Sequence, residues 1–151
     1  MTRRVGWCLL LLGCVMLAPV QGPAASLVLL DGRQERVLTC LPLGPGEPFS
    51  LEFINSIYLA PVKETLVYEP AEGVMIVKVE SPSAGVFEYY GLEPDGSGQA
   101  TLRRPVGDFR LRTMDYVHHR LTVGERRLDL KGLVPDGEPL VVKVLASDCG
   151  R

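Results

Sequence analysis

The fold is decided by residues 52–91, which read EFINSIYLAPVKETLVYEPAEGVMIVKVESPSAGVFEYYG. Apolar and polar residues alternate over 62–68, and residues 74–79 are almost entirely apolar. The alternation predicts a strand with one buried face, and the continuous apolar run predicts a central strand. Pro61 and the small residues of 81–85 mark corners, and small residues allow close approach of the backbone.

The same pattern continues along the chain after residue 26. Turn signals such as Asp31-Gly32 interrupt short apolar segments at intervals of about 8 to 12 positions. The proline-rich residues 42–48 are predicted to form a loop. Strands are predicted at residues 26–30, 36–41, 49–53, 62–68, 74–79, 86–90, 100–104, 109–113, 117–123, 127–130 and 140–146.

These strands predict an all-β fold. The pattern favours a single-domain antiparallel β-sandwich, immunoglobulin-like or jelly-roll-like, with a small partly open β-barrel as the alternative. A length of 151 residues is typical of one domain. The chain has 16 Lys and Arg and 18 Asp and Glu residues without a block of like charge, which argues against nucleic-acid binding.

The N-terminus has the order of a secretory signal peptide. Two arginines precede an apolar run over residues 5–20, and small residues follow. Cleavage is predicted after Ala24 or Ala25. The predicted domains are therefore a signal peptide at 1–25 and a β domain at 26–151, exported to the periplasm.

Residues 11–14, LLGC, resemble a lipobox, which would make Cys14 a lipidated N-terminus. The residues after Cys14 are apolar where a lipoprotein usually becomes polar. Lipidation at Cys14 and an uncleaved anchor remain alternatives to a cleaved signal. Membrane attachment is predicted only through these N-terminal routes.

With Cys8 and Cys14 in the signal, Cys40 and Cys149 form an even pair in an oxidising compartment. A bridge between them would join the second strand to the C-terminal tail, and the alternative is two free thiols. The spacing supports no zinc site, and no metal or other cofactor is predicted.

Glu64 is the most unusual single residue. Its strand parity places it on one face with Val62, Leu66 and Tyr68, where a carboxylate is costly unless it is hydrogen-bonded. It is either a binding group oriented by Asn55 or Ser56, or a structural carboxylate satisfied by backbone donors of residues 55–61.

Catalytic and metal-binding patterns are weak. His118 and His119 would point to opposite faces of a strand, His119 with Leu121 and Val123, so they would not readily hold one ion. No serine lies in a nucleophile-elbow context, and no catalytic cysteine constellation is present. The sequence therefore predicts no enzyme, and a hydrolase is only a second alternative.

The aromatic residues near the corners form one candidate binding group. Such side chains line ligand clefts and anchor partner surfaces, but they equally pack the core of a small β domain. The candidate binding residues are Asn55, Ser56, Tyr58, Pro61, Glu64, Tyr68, Tyr89 and Tyr90, with Phe87 among the neighbouring aromatics.

Two motifs, INSIYLAPVKETLVYEP and SPSAGVFEYYGL, resemble the family called domain of unknown function 1850. The first motif of that family commonly reads His-Ser, a spacer, Pro-Val, one residue and Glu; Ser56, Pro61, Val62 and Glu64 match it. Ala84-Gly85 matches a small-residue corner. Asn55 replaces the usual histidine, and an amide cannot titrate near neutral pH.

The family consists of small exported bacterial proteins, typically encoded beside TAXI-type TRAP transporters. The resemblance implies non-enzymatic accessory work in solute uptake. The expected partner is a membrane subunit of the transporter or its solute receptor. The alternative is a small-ligand-binding β module, which requires a pocket around Glu64.

Overall fold

The computed structural model describes residues 25–114 and 118–149. This part of the chain contains ten strands and one short helix, α1. The all-β prediction is confirmed. The elements in order are β1 (Ala25–Asp31), β2 (Val37–Leu43), β3 (Phe49–Asn55), β4 (Ala60–Glu69), β5 (Gly73–Glu80), α1 (Ala84–Tyr90), β6 (Gln99–Pro105), β7 (Phe109–Arg112), β8 (Arg120–Val123), β9 (Arg126–Asp129) and β10 (Pro139–Leu145).

The strands form two antiparallel sheets. The smaller sheet has the order β2-β1-β10-β7, and the larger has the order β6-β5-β4-β3-β8-β9. Leu29 and Val142 from the smaller sheet and Leu51 and Leu66 from the larger belong to one buried core. The described strands therefore form a sandwich-like arrangement and no closed barrel.

Two neighbouring rows of paired residues distinguish the faces of the larger sheet. The inner row is apolar except for one carboxylate: Leu128, Leu121, Leu51, Glu64, Val79 and Ala100. The outer row is polar and mostly charged: Asp129, Arg120, Glu52, Lys63, Glu80 and Gln99. In the outer row, Arg120 Nη1 lies 3.3 Å from Glu52 Oε2. Alternation along each strand thus produces one wet and one dry face.

A β-bulge in β5 adjusts this alternation beside Glu64. Strand pairing with both neighbours skips Val77. As a result Ile76 and Val79 are both buried, although they are three residues apart. The predicted central position of this strand is confirmed, because β5 lies between β4 and β6.

The predicted strand at 86–90 is wrong, because these residues belong to α1. Val86, Phe87 and Tyr90 are buried, which is the spacing of one helical face, and Tyr89 is exposed. Gly91 ends the helix in the left-handed conformation at φ 67°, and its N–H donates to the Glu88 carbonyl. The three aromatic residues in positions 87–90 fit a helix, because Phe87 and Tyr90 share its buried face while Tyr89 points to solvent.

The predicted loop at 42–48 begins too early. Pro42 lies within β2, where it pairs with Ser26. β2 is an edge strand of the smaller sheet, so a missing N–H can face solvent there.

The predicted bridge between Cys40 and Cys149 is present. The two Cα atoms are 5.7 Å apart and 109 residues apart in sequence. The bridge ties β2 to the chain segment after β10, as the sequence predicted.

The predicted signal peptide and Cys14 lie outside the described residues, apart from Ala25. This residue begins β1, is buried and pairs with Leu43, one residue before the predicted domain boundary. Among residues 25–114 and 118–149, no helix has the length and apolar character needed to cross a membrane.

Candidate functional site

Glu64 lies where strand parity placed it, on the inner face of the larger sheet. Its neighbours in register, Leu51 on β3 and Val79 on β5, are both buried. Val62 and Leu66 on its own strand are buried as well. The carboxylate is therefore half-buried within an apolar surface, and it requires a polar partner.

Tyr90 provides that partner. Its hydroxyl donates a hydrogen bond to Glu64 Oε1 across the space between α1 and β4. Arg104 Nη2 donates to the Tyr90 carbonyl at 2.7 Å, and the guanidinium carbon lies 6.0 Å from the centroid of the Tyr90 ring. The hydrogen bond that satisfies Glu64 therefore comes from α1, and not from backbone donors of residues 55–61.

Burial controls the electrostatics of this pair. Desolvation raises the pKa of the Glu64 carboxyl, and the Tyr90 hydrogen bond and the Arg104 charge partly oppose that rise. The pKa of Tyr90 is raised by burial and by the Glu64 charge, so its hydroxyl stays protonated and donates. The pair presents a carboxylate acceptor braced by a neutral phenol.

Asn55 organises the turn between β3 and β4. Its side chain is buried, and Oδ1 accepts hydrogen bonds from the backbone N–H groups of Ile57 at 2.9 Å and Tyr58 at 3.0 Å. Ser56 is exposed in this turn. The Asn55 amide oxygen therefore braces its own turn and does not orient Glu64.

The turn presents large apolar side chains to solvent. Ile57 is 65% exposed and Leu59 75%. Tyr89 of α1 is 63% exposed and lines one cleft together with Ile57. Tyr58, which is partly exposed, lies with its ring against Gly85, where a Cβ atom would overlap it. We call Ile57, Tyr58, Leu59 and Tyr89 the apolar tip.

The predicted small-residue corner at 81–85 thus permits a close approach, as expected. Glycine at position 85 lets α1 pack against the Tyr58 ring. Sequence reasoning missed Ile57 and Leu59 as surface residues. The available signal was an apolar triplet inside a turn bounded by Asn55-Ser56 and Pro61.

Two clefts adjoin the Glu64–Tyr90 pair. The first, of about 280 Å³, lies beside the apolar tip and includes Ile57, Tyr89 and Tyr90 in its wall. The second, of about 260 Å³, lies between the two sheets and includes Glu64. We call the second the inter-sheet cleft. Phe53 and His119 line both, so the clefts lie side by side.

His119 is a site residue that sequence reasoning missed. It is half-buried, and its ring centroid lies 5.8 Å from that of Phe53. Its Nδ1 is buried and has no hydrogen-bond partner in the part of the chain that the structure describes. Burial lowers the pKa of its imidazole. The signal was that His119 alternates with Leu121 and Val123, which predicts that the three share a buried face. Sequence reasoning used this alternation only to argue against a metal site.

The predicted strand at 117–123 starts later than expected. β8 begins at Arg120, and His118 is exposed with a positive φ of 47°. His118 and His119 therefore do not occupy adjacent strand positions, but they line different clefts. The described residues contain no group of three or more potential metal ligands.

Two predicted binding residues lie apart from the others. Tyr68 is near the far end of β4, where it pairs with Val74 and packs against the core. Pro61 is exposed, pairs with Ile54 and lines a different cleft, on the side of the 81–82 corner. The structure gathers the remaining six around α1 and the 55–59 turn: Asn55, Ser56, Tyr58, Glu64, Tyr89 and Tyr90.

Comparisons with protein-family models, with curated proteins and with solved structures found no match to this chain.

Proposed function

We propose that this protein is an exported, non-enzymatic accessory of a TAXI-type TRAP solute transporter that acts by protein contact through the apolar tip. The observation that carries the proposal is the exposure of Ile57, Leu59 and Tyr89 on one braced corner. Clustered exposed apolar side chains mark interaction surfaces in soluble domains.

The tip has the character of a preformed contact surface. Asn55 holds the turn by two hydrogen bonds, and Gly85 lets the Tyr58 ring rest on α1. Side chains that are already ordered lose less conformational entropy when a partner binds. Tyrosine is also a frequent anchor in protein interfaces.

The sequence motifs supply the identity of the proposed partner. Ser56, Glu64 and the corner containing Gly85 all belong to the motifs that resemble the transporter-associated family. In the structure Ser56 lies in the turn that carries the tip, and Gly85 packs against the Tyr58 ring, whereas Glu64 lies inside the sandwich beneath α1. The disulfide between Cys40 and Cys149 is of the kind that persists in oxidising compartments, which suits a periplasmic protein.

The test is co-purification of a tagged protein from membranes of its native host. The wild type should recover a transporter membrane subunit or the solute receptor, and the recovered chain identifies which of the two is the partner. Ile57→Asp combined with Leu59→Asp should reduce recovery at least about tenfold, as expected for loss of an apolar anchor.

Val37→Asp is the matched control, because Val37 is 58% exposed on β2 of the other sheet. It should leave recovery unchanged. Glu64→Gln should also leave recovery near the wild-type level, because this side chain lies inside the sandwich. Recovery of no transporter component, with unchanged solute uptake after deletion, would sink the proposal.

A further inference from the structure

We propose that the inter-sheet cleft is a binding site for a small apolar molecule that carries a hydrogen-bond-donating head group, an ammonium or a hydroxyl. This site is distinct from the apolar tip and does not depend on the transporter proposal.

The cleft has the shape of a small-molecule site. Leu51 and Leu66 of the larger sheet form one wall, and Phe109 and Leu111 of β7 form the opposite wall. Its volume of about 260 Å³ matches about eight or nine water molecules at ~30 Å³ each. The site is therefore suited to a ligand of a few carbon atoms and one polar group, at the small end of ligand pockets.

Two polar side chains interrupt the apolar lining, Glu64 and His119. The carboxylate has several acceptor positions, and among the described residues Tyr90 supplies its one hydrogen bond. Within residues 25–114 and 118–149, the buried Nδ1 of His119 has no hydrogen-bond partner. The Glu64 carboxylate lines the cleft and has acceptor positions beyond the one that Tyr90 uses, so it can accept a hydrogen bond from a ligand.

The charge of the lining selects the head group. A carboxylate accepts hydrogen bonds, and none of the described residues that line the cleft is a lysine or an arginine that could neutralise an anion. The nearby Arg104 donates to the Tyr90 carbonyl outside this lining. A ligand carboxylate would therefore meet Glu64 as a like charge, whereas an ammonium or hydroxyl can donate to it.

The test uses methyl-labelled Leu and Val residues and titration with three matched probes, 1-hexylamine, 1-hexanol and hexanoate, followed by NMR. The amine and the alcohol should produce saturable shifts of Leu51, Leu66, Val106 and Leu111 methyl groups. Hexanoate should bind at least about tenfold more weakly because of the like charge.

Two variants locate the site. Val106, in the loop after β6, lines the cleft and is half-buried, so Val106→Trp should fill the space and abolish binding of all probes. Val37→Trp, at an exposed position of β2 in the other sheet, should leave binding unchanged. Glu64→Gln keeps an acceptor for Tyr90 but removes the charge, so it should weaken hexylamine binding at least about fivefold and hexanol binding less than about twofold.

The inference is overturned if neither donor probe shows saturable shifts, if hexanoate binds as tightly as hexylamine, or if Val106→Trp binds like the wild type. None of these variants alters the apolar tip. Membrane co-purification by Val106→Trp should therefore equal that of the wild type, which separates a failure of this site from a failure of the transporter proposal.

Discussion

At the scale of single residues, Glu64 combines a desolvated carboxylate with a hydrogen bond that comes from another element of the fold. It is the one charged member of an otherwise apolar row across six strands. Its compensation comes from Tyr90, 26 residues later in the chain. A carboxylate that depends on one tertiary hydrogen bond makes stability sensitive to both partners.

Tyr90→Phe should therefore lower the free energy of unfolding by about 1–3 kcal/mol, because it leaves a half-buried carboxylate without its hydrogen bond. Urea unfolding at pH 7 measures the change. Tyr68→Phe is the control, since the described residues give the Tyr68 hydroxyl no hydrogen bond and its ring also packs against the core. Equal changes in the two variants would mean that the Glu64 hydrogen bond contributes nothing.

The raised pKa of Glu64 predicts a pH dependence of definite sign. Folding favours the protonated carboxyl, so its contribution to stability is fully present below the unfolded pKa near 4.5 and is lost as the pH rises through the folded pKa. Glu64→Gln lacks this loss. The stability of the variant relative to the wild type should therefore increase from pH 4 to pH 7.

Unfolding curves collected across that pH range measure the difference between the two proteins. Glu88→Gln, which removes one negative charge from an exposed position of α1, is the control for the change in net charge. A Glu64→Gln difference that is constant with pH would contradict the assigned pKa direction.

At the scale of elements, α1 connects the core to the surface. Phe87 and Tyr90 face the core, and Tyr89 extends the apolar tip on the other side. Gly85 lies in the first turn of the helix, where the Tyr58 ring occupies the space a side chain would need. The helix and the turn between β3 and β4 therefore constrain one another.

Gly85→Ala should behave differently in two backgrounds. In Tyr58→Ala the new methyl group has room, and the better helix propensity of alanine should stabilise the protein by up to about 1 kcal/mol. With Tyr58 present, the methyl group must displace the ring, and this gain should disappear.

A double-mutant cycle by urea unfolding measures the coupling, which should reach about 0.5 kcal/mol or more. Gly85→Ala alone, with Tyr58 present, should also weaken co-purification of the transporter partner from membranes, because the displaced Tyr58 ring belongs to the apolar tip. Additive effects on stability would show that the ring does not rest on Gly85 in solution.

At the scale of the whole molecule, the disulfide closes nearly the entire domain. The bridge joins positions 109 residues apart and attaches the segment after β10 to edge strand β2. The strand between them in the sheet is β1, which pairs with both β2 and β10. The covalent link thus ties the segment after β10 to the edge strand on the far side of β1.

Replacing Cys40 and Cys149 by alanine should lower the free energy of unfolding by up to roughly 4–5 kcal/mol, because the unfolded chain regains the entropy of a long open loop. Urea unfolding with and without reductant measures the loss. Reductant should destabilise the wild type towards the level of the variant and leave the variant unchanged. A wild type that unfolds identically in both conditions would argue against the bridge.

The sequence by itself determined the all-β class and most of the strands, because alternation between a wet and a dry face is a local pattern. It also determined which side of β4 carries Glu64, since parity needs only the strand. Counting also favoured the Cys40–Cys149 pair over two free thiols, because the predicted signal contains the other two cysteines. Tertiary structure was not needed for any of these.

Only the tertiary structure decided what Glu64 meets. Its partner Tyr90 lies on a helix whose short apolar run also resembles a strand, and local pattern does not separate the two. Its neighbourhood with His119 and Phe109 depends on how the two sheets face each other. Such contacts join residues far apart in the chain, so they depend on how the sheets pack, on strand register and on the bulge at Val77. A local pattern of apolar and polar residues does not specify any of these three.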